Sequence, residues 1–279
     1  MAGCGTFPKR GMMILALLAM LLLVSACASG RPSGNDVQGK ASSGEEPVEL
    51  LVSAAASLKE SMEEAGRLFE EQHPHIRIRY NFGGSGSLGQ QLEQGAPVDL
   101  FVSAAVEPMD RLVDKGMVRA GSVQLMFRNS LVLIEPGPEP SIKQLDELLR
   151  PDVRIVAVGQ PDTVPAGEYA AEALQHEGLW NEVESKAVYG KDVSQVLAYV
   201  ESGNADAGFV YKTDVTHSSK AVLSLEIDPG LHQPIEYPAA VPVLAKHPEE
   251  ASELLAFMKS PEVKAIFKNA GFDVVEESP

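Results

Sequence analysis

Cysteine is nearly missing from this chain, with Cys4 and Cys27 the only two among 279 residues. That is too few for a disulfide framework or a cysteine metal site. Positive charge is also scarce: 23 Lys and Arg face 39 Asp and Glu, a formal net charge of −16. So acidic a surface disfavours nucleic acid and has no electrostatic pull towards an anionic membrane. No internal repeat is visible. No apolar run reaches the length of a comfortable transmembrane helix. What remains is 44% apolar residues, an ordinary fraction for a folded chain, and enough length for one large domain or two lobes.

The longest apolar run, MMILALLAMLLLVSA (Met12 to Ala26), follows Lys9 and Arg10 and is ended by Cys27. A basic start and a short apolar core read as a secretory signal over residues 1–26. Val24-Ser25-Ala26-Cys27 has the pattern of a bacterial lipobox, in which Cys27 receives lipid and becomes the mature N-terminus. The alternative is an ordinary cleaved signal with an incidental cysteine. Cleavage removes two basic residues and no acidic ones, so −16 becomes −18, and Cys4 leaves with the signal. Residues 27–47, rich in Gly, Ser and charge, read as a flexible tether. The expected organisation is an anchor, a leash and a globular body at the outer face of the cell membrane. Membrane contact would come through the lipid alone.

From Val48 onward, short apolar runs alternate with longer amphipathic ones. VELLVSA, IRIRYNF, DLFVSA, SLVLIEP, RIVAVG, GFVY and AVLSL read as strands. Ser57 to Glu71 places Leu58, Met62, Ala65 and Phe69 at helical spacing. Further helices are expected at LGQQLEQG, VEPMDRLVDKG, AGEYAAEALQHEG, DVSQVLAYVESG and EEASELLAFMKS. Strands alternating with helices predict an α/β fold with mainly parallel sheets, whose ligands gather at the carboxyl ends of the strands. The strand candidates exceed what one compact sheet usually holds, so two lobes are expected.

The turns between strands and helices carry the chemistry. In YNFGGSGSLGQQLEQ, Gly83, Gly84 and Gly86 allow close approach or positive φ, and Ser85 offers a hydroxyl. No Gly-Lys-Ser/Thr follows, so this is no nucleotide P-loop. Gly83-Gly84-Ser85-Gly86 begins like a hydrolase nucleophile elbow. Ser87 stands at the fifth position, however, and six scattered histidines offer no obvious base. Ser57 and Glu60 fit a capping box; alternatively the Ser57 hydroxyl and nearby N–H groups point into a cleft. Pro165 opens a helix whose next N–H groups, at Ala166 and Gly167, lack intrahelical acceptors. Asp192 reads as an N-cap with Val193 in the first turn. Tyr211 ends a strand, as a core tyrosine or as a phenolic donor. None of these motifs needs a formal cation. Together they describe one cleft lined by hydroxyls and N–H groups at helix starts, suited to a small, fully deprotonated oxyanion. A protonated one would bury an O–H without an acceptor, at a cost of about 1–3 kcal/mol.

In this order, AAASL, GGSGSLGQQLEQGAPVDLFVSA, FRNSLVLIEP, VGQPDTVPAGEYAAEAL, DVSQVLAYVESG and GFVYKTD resemble the molybdate-binding proteins of ABC transporters over most of residues 48–275. The resemblance implies a two-lobed class II periplasmic-binding-protein fold. Residues 48–127 plus 238–279 would form the first lobe and 128–237 the second, with crossings near Arg128 and Tyr237. Molybdate or tungstate would sit between them, held by Ser57 and Ser85 through hydroxyl and N–H, by the N–H groups of Ala166 and Val193, and by the Tyr211 hydroxyl. Some members of the family have serine where Gly86 stands. No cofactor, no directly coordinated metal and no catalytic residue is implied. The partners would be an ABC permease and its ATPase, served by a monomer. The alternatives are a binder of another oxyanion such as sulfate, and an extracellular serine hydrolase built on Ser57 or Ser85.

Overall fold

The computed structural model describes residues 47–216 and 218–275. The signal segment, the lipobox with Cys27 and nearly all of the tether lie outside the described residues. The first run of elements is β1 (Val48–Ala55), a 3-10 turn at Ala56–Leu58, α1 (Lys59–Gln72), β2 (Ile76–Gly83), α2 (Ser85–Glu93), β3 (Leu100–Val102), α3 (Val106–Asp114) and β4 (Gln124–Arg128). The chain then crosses to β5 (Leu131–Pro136), β6 (Val156–Gly159), α4 (Pro165–His176), α5 (Trp180–Glu184) and β7 (Ala187–Gly190). This second run continues through α6 (Val193–Glu201), β8 (Ala207–Tyr211), α7 (Lys212–Val215) and β9 (Ala221–Glu226). It returns through Pro229–Leu231 to β10 (Glu236–Ala240), α8 (Pro248–Phe257), α9 (Pro261–Asn269) and β11 (Asp273–Val274).

These strands form two sheets, ordered β11-β4-β10-β3-β1-β2 and β7-β6-β8-β5-β9. Both ends of the described chain therefore build the first sheet and its middle builds the second, each flanked by helices, which is the two-lobed α/β architecture. The sheets are mixed, and the expectation of mainly parallel sheets is corrected. β1 pairs in parallel with β2 and β3, and β6 with β7 and β8. The other pairings are antiparallel. The alternation of strands and helices reveals βαβ units, whose connections demand parallel strands. β4, β5, β9 and β10 flank the crossings and have no such helix to fix their direction.

Local sequence explains the strands that carry site residues. β1 lies between β2 and β3 and, past the exposed Glu49, is largely apolar and buried on both faces near its end. β2 is an edge strand, and its alternation puts Arg77 and Arg79 in solvent and Ile76 in the core. Helix α1 buries Met62, Ala65 and Phe69, the expected stripe. Behind the ends of these strands lies an aromatic cluster. Phe127 stacks on Phe267 at 3.9 Å, Phe272 meets Tyr237 edge-on at 5.6 Å, and Tyr237 meets Tyr211 at 5.9 Å. Offset and edge contacts of this kind fix ring orientation as well as bury area.

Helix α4 owes its place to a pair of glycines. A Cβ built on Gly167, in its first turn, would stand 1.9 Å from the Gly159 carbonyl oxygen at the end of β6. Only hydrogen at residue 167 lets the helix start rest directly on that strand. Gly167→Ala should therefore push the start of α4 off β6 and lower stability by about 1–3 kcal/mol, roughly 3–10 °C in Tm by thermal unfolding. An unchanged Tm would show that the helix has slack at this point.

Candidate functional site

The carboxyl ends of β1, β2, β6, β7 and β8 turn towards one cavity between the two sheets. It is lined by Ser57, Ser85 and Ala104 from the first half and by Ala166, Val193 and Tyr211 from the second, with small residues around them. All five residues singled out in the sequence for ligand contact thus stand around a single space. That space is small, a cavity of about 10 Å³. The site has the dimensions of one compact group and not of a nucleotide or a sugar.

Each wall reaches the cavity differently. Ser57 sits inside the 3-10 turn, where the expected capping box does not form: Leu58 precedes α1 without a side-chain cap, and Ser57 Oγ lies 3.0 Å from Tyr237 Oη. The core hydroxyl outcompetes the helix start because it is already fixed in place by the aromatic cluster. Ser85 is the first residue of α2 and fully buried, and its Oγ accepts from the Ala104 N–H at 2.9 Å. Ala166 follows Pro165 in the first turn of α4 and is completely buried. Asp192 caps α6 by accepting from the Gln195 N–H at 2.9 Å, leaving the N–H of Val193, the first helical residue, facing the end of the helix.

Tyr211 is the most exacting of the set. It is 1% exposed, yet its hydroxyl has no hydrogen-bond partner among the described residues. Burial, followed by the neighbouring Tyr237 and Tyr169, holds its pKa well above the ordinary phenol value, so it stays a neutral donor. Buried polar groups are almost always paired, and an unpaired one marks a place where a partner belongs.

No charged side chain lines the cavity among the described residues. Lys59 and Lys191 are exposed. Positive potential comes instead from N–H groups at the starts of α2, α4 and α6. The lining also offers no His, Asp or Glu to activate Ser57 or Ser85 as a nucleophile. Among the described residues no group of three or more His, Cys, Asp and Glu could hold a metal ion, and no helix is long and apolar enough to cross a membrane.

The glycines beside Ser85 serve an unexpected purpose. Gly84 has φ −65°, and neither Gly83 nor Gly86 has positive φ, so left-handed backbone is not their reason. A Cβ on Gly84 would come within 2.6 Å of the Thr163 carbonyl oxygen, and one on Gly86 within 2.8 Å of Thr163 Cα. Gly86 N–H donates to Thr163 O at 3.1 Å. The close approach is between the two halves of the protein. Three participants escaped the sequence reading: Ala104, Thr163 and Tyr237. None carries a local signal, because each matters through what lies opposite it.

A donor-lined cavity between two such lobes defines a solute-binding protein. The family described as bacterial extracellular solute-binding protein matches residues 50–273, and the chain belongs to it. Its relatives include a protein of Bacillus subtilis strain 168, YvgL, provisionally named an ABC transporter substrate-binding lipoprotein. That relative is 39% identical over 95% of this chain and 98% of its own. The molybdate-binding protein ModA of Escherichia coli strain K12 is 33% identical over 81% of this chain and 89% of that one. Among solved structures, the substrate-binding domain of a provisionally assigned molybdenum ABC transporter from Clostridium difficile superposes with a TM-score of 0.63. It is 38% identical and covers 82% of this chain and all of that domain.

Beneath Tyr211 lies a titrating group. Asp214 Oδ2 accepts the Tyr211 N–H at 2.9 Å. Burial raises its pKa, the Tyr211 bond lowers it, and Asp192 and Glu60 raise it further, to about 7. A carboxyl raised this far above its unfolded value of about 3.9 favours the fold when protonated. Its contribution is complete below about pH 4 and lost as pH rises through about 7. Asp214→Asn keeps an acceptor and removes the charge. It should exceed the wild type in Tm at pH 8, with the gap closing towards pH 4.5. Equal gaps at the two pH values would contradict the assignment.

Proposed function

We propose that this protein is the receptor of an ABC importer that captures molybdate, or the closely similar tungstate, and presents it to a membrane permease driven by a cytoplasmic ATPase. The observation that carries this reading is the convergence of Ser57, Ser85, Ala166, Val193 and Tyr211, from both sheets, on one small uncharged cavity that contains an unpartnered buried hydroxyl. Such a set offers donors and no cation, which matches a compact dianion without protons. The named relatives include molybdate-binding proteins, which supports molybdate over other oxyanions.

Capture follows from the placement of the donors. A ligand shifts an equilibrium between two conformations only by contacts that differ between them. Donors from opposite halves meet one anion only when the halves are together, so the anion favours the closed form, and the closed form is what the permease receives. We assign residues 48–127 plus 238–279 to one lobe and 128–237 to the other. The division is supported by strands drawn from 48–128 and 236–274 for the first sheet and from 131–226 for the second. A single chain supplies both donor sets, so a monomer suffices. The role is binding without catalysis, a reading supported by a cavity lining that offers Ser57 and Ser85 no His, Asp or Glu. Cys27 is the proposed lipid attachment site, with residues 1–26 as signal and 27–47 as tether; the pattern before Cys27 and the lipoprotein name of the Bacillus relative support it.

Molybdate and tungstate at a hundredfold excess over Kd should stabilise the protein by about 2.7 kcal/mol, while equal sulfate does far less. Equal Tm shifts from all three would overturn the selectivity, and no shift from any would overturn the receptor reading. Tyr211→Phe should weaken tungstate binding about tenfold or more in calorimetric titration, the usual effect of losing a donor to a charged group. Gly86→Ala should also weaken binding, through faster release, with little loss of unliganded Tm, because alanine suits a helix better by about 1 kcal/mol. If release rates match the wild type, the contact with Thr163 does not limit closure.

A further inference from the structure

Behind Ser57 runs a chain of side chains whose proton directions can be worked out. Asn129 lies between β4 and β5, where the chain first crosses, and its N–H donates to Ile235 O on the returning segment at 3.2 Å. Its side-chain Oδ1 accepts from the Ser130 N–H at 2.9 Å, which settles the orientation of the amide. Nδ2 then faces Thr213 Oγ1 at 2.9 Å and Tyr237 Oη at 3.3 Å. An amide nitrogen only donates, so Tyr237 Oη receives a hydrogen bond from Asn129. The phenol has one proton of its own, and Ser57 Oγ, at 3.0 Å, is its remaining partner. Were Ser57 to donate to Tyr237 instead, a fully buried phenol proton would be left without an acceptor. The satisfied arrangement runs from Asn129 to Tyr237 to Ser57, and it leaves the Ser57 proton free of Tyr237 and available to the cavity that Ser57 lines.

We propose that Asn129 and Tyr237 are positioning residues that hold the Ser57 hydroxyl as a donor towards the ligand, so that the site discriminates against oxyanions that carry a proton. Burial, with Asp214 nearby, keeps the Tyr237 phenol well above its ordinary pKa, so its proton is not lost. Ser85 obeys the same logic, since the Ala104 N–H occupies its acceptor side and leaves its proton to point elsewhere. The inference deepens the receptor reading and rests on it.

Tyr237→Phe tests it with little disturbance, because the ring keeps its edge contacts with Phe272 and Tyr211. Without the phenol, Ser57 can rotate and accept. Tungstate and inorganic phosphate would be titrated at pH 6, where phosphate carries protons. Tungstate affinity should fall about tenfold while phosphate binding holds or rises, narrowing the ratio of affinities about tenfold or more. Asn129→Asp provides a second variant. Its carboxylate accepts a hydrogen bond from the phenol O–H, Ser57 must then donate to Tyr237, and tungstate affinity should fall further. Affinities that drop equally for both anions, or an unchanged ratio in both variants, would overturn the positioning role and leave the receptor reading intact. A wild type that binds no tungstate would overturn the receptor reading itself.

Discussion

Everything in this structure is arranged around hydrogen-bond donors gathered in a place where water has almost no room. A donor held there without an acceptor is costly, and the cost is highest where the local dielectric is low. Tyr211, buried at the end of β8 with its hydroxyl unpaired, is the plainest instance. Around it, the first turns of α2, α4 and α6 add backbone N–H groups that their own helices cannot satisfy. Such groups attract negative charge through fixed dipoles that need no lysine or arginine and do not titrate. This explains how a chain of net charge −16 can hold an anion: the binding potential is local and made from backbone, while the long-range field repels.

The same design governs how the two halves meet. Gly84 and Gly86 let the first half approach within hydrogen-bonding distance of Thr163 on the second. Acidic groups oppose that approach. Glu60 adds to the raised pKa of Asp214 across the gap, and Glu168 is held above the ordinary carboxylate range by burial, then by Glu172 and by Glu107 on the opposite half. A receptor needs closure that is possible but not overwhelming, since a ligand has leverage only over states of similar free energy. Close-fitting glycines and facing carboxylates are two opposed terms in that balance.

Much of the fold could be read from periodicity. The stripe Met62, Ala65, Phe69 on α1, the alternation of β2 and the Pro165 and Asp192 helix starts appear where the pattern puts them. β4, β7, β10 and α9 were not legible. β10 contains Pro238, which argues against a strand on local grounds, and the register of its pairing with β4 shifts next to that residue. β7 is four residues long, too short to show a period. Ser57 illustrates the opposite failure. Its neighbours spell a capping box, but its partner is Tyr237, 180 positions away, and no local pattern contains that distance.

Sequence alone pointed to the helix starts, because starts and caps are written within a few residues of each other, although the Gly167 N–H, expected to be open, donates to Val164 O at 2.8 Å. It also settled the acidity, the scarcity of cysteine and the glycines at the second turn. Only the tertiary structure decided that those glycines serve contact between halves and that Ser57 meets Tyr237 while Ser85 accepts from Ala104. It also decided that the two sheets are mixed. The physical reason is range: unsatisfied donors arise within one turn of helix, whereas what they face, and from which side, depends on strands brought together from opposite ends of the chain.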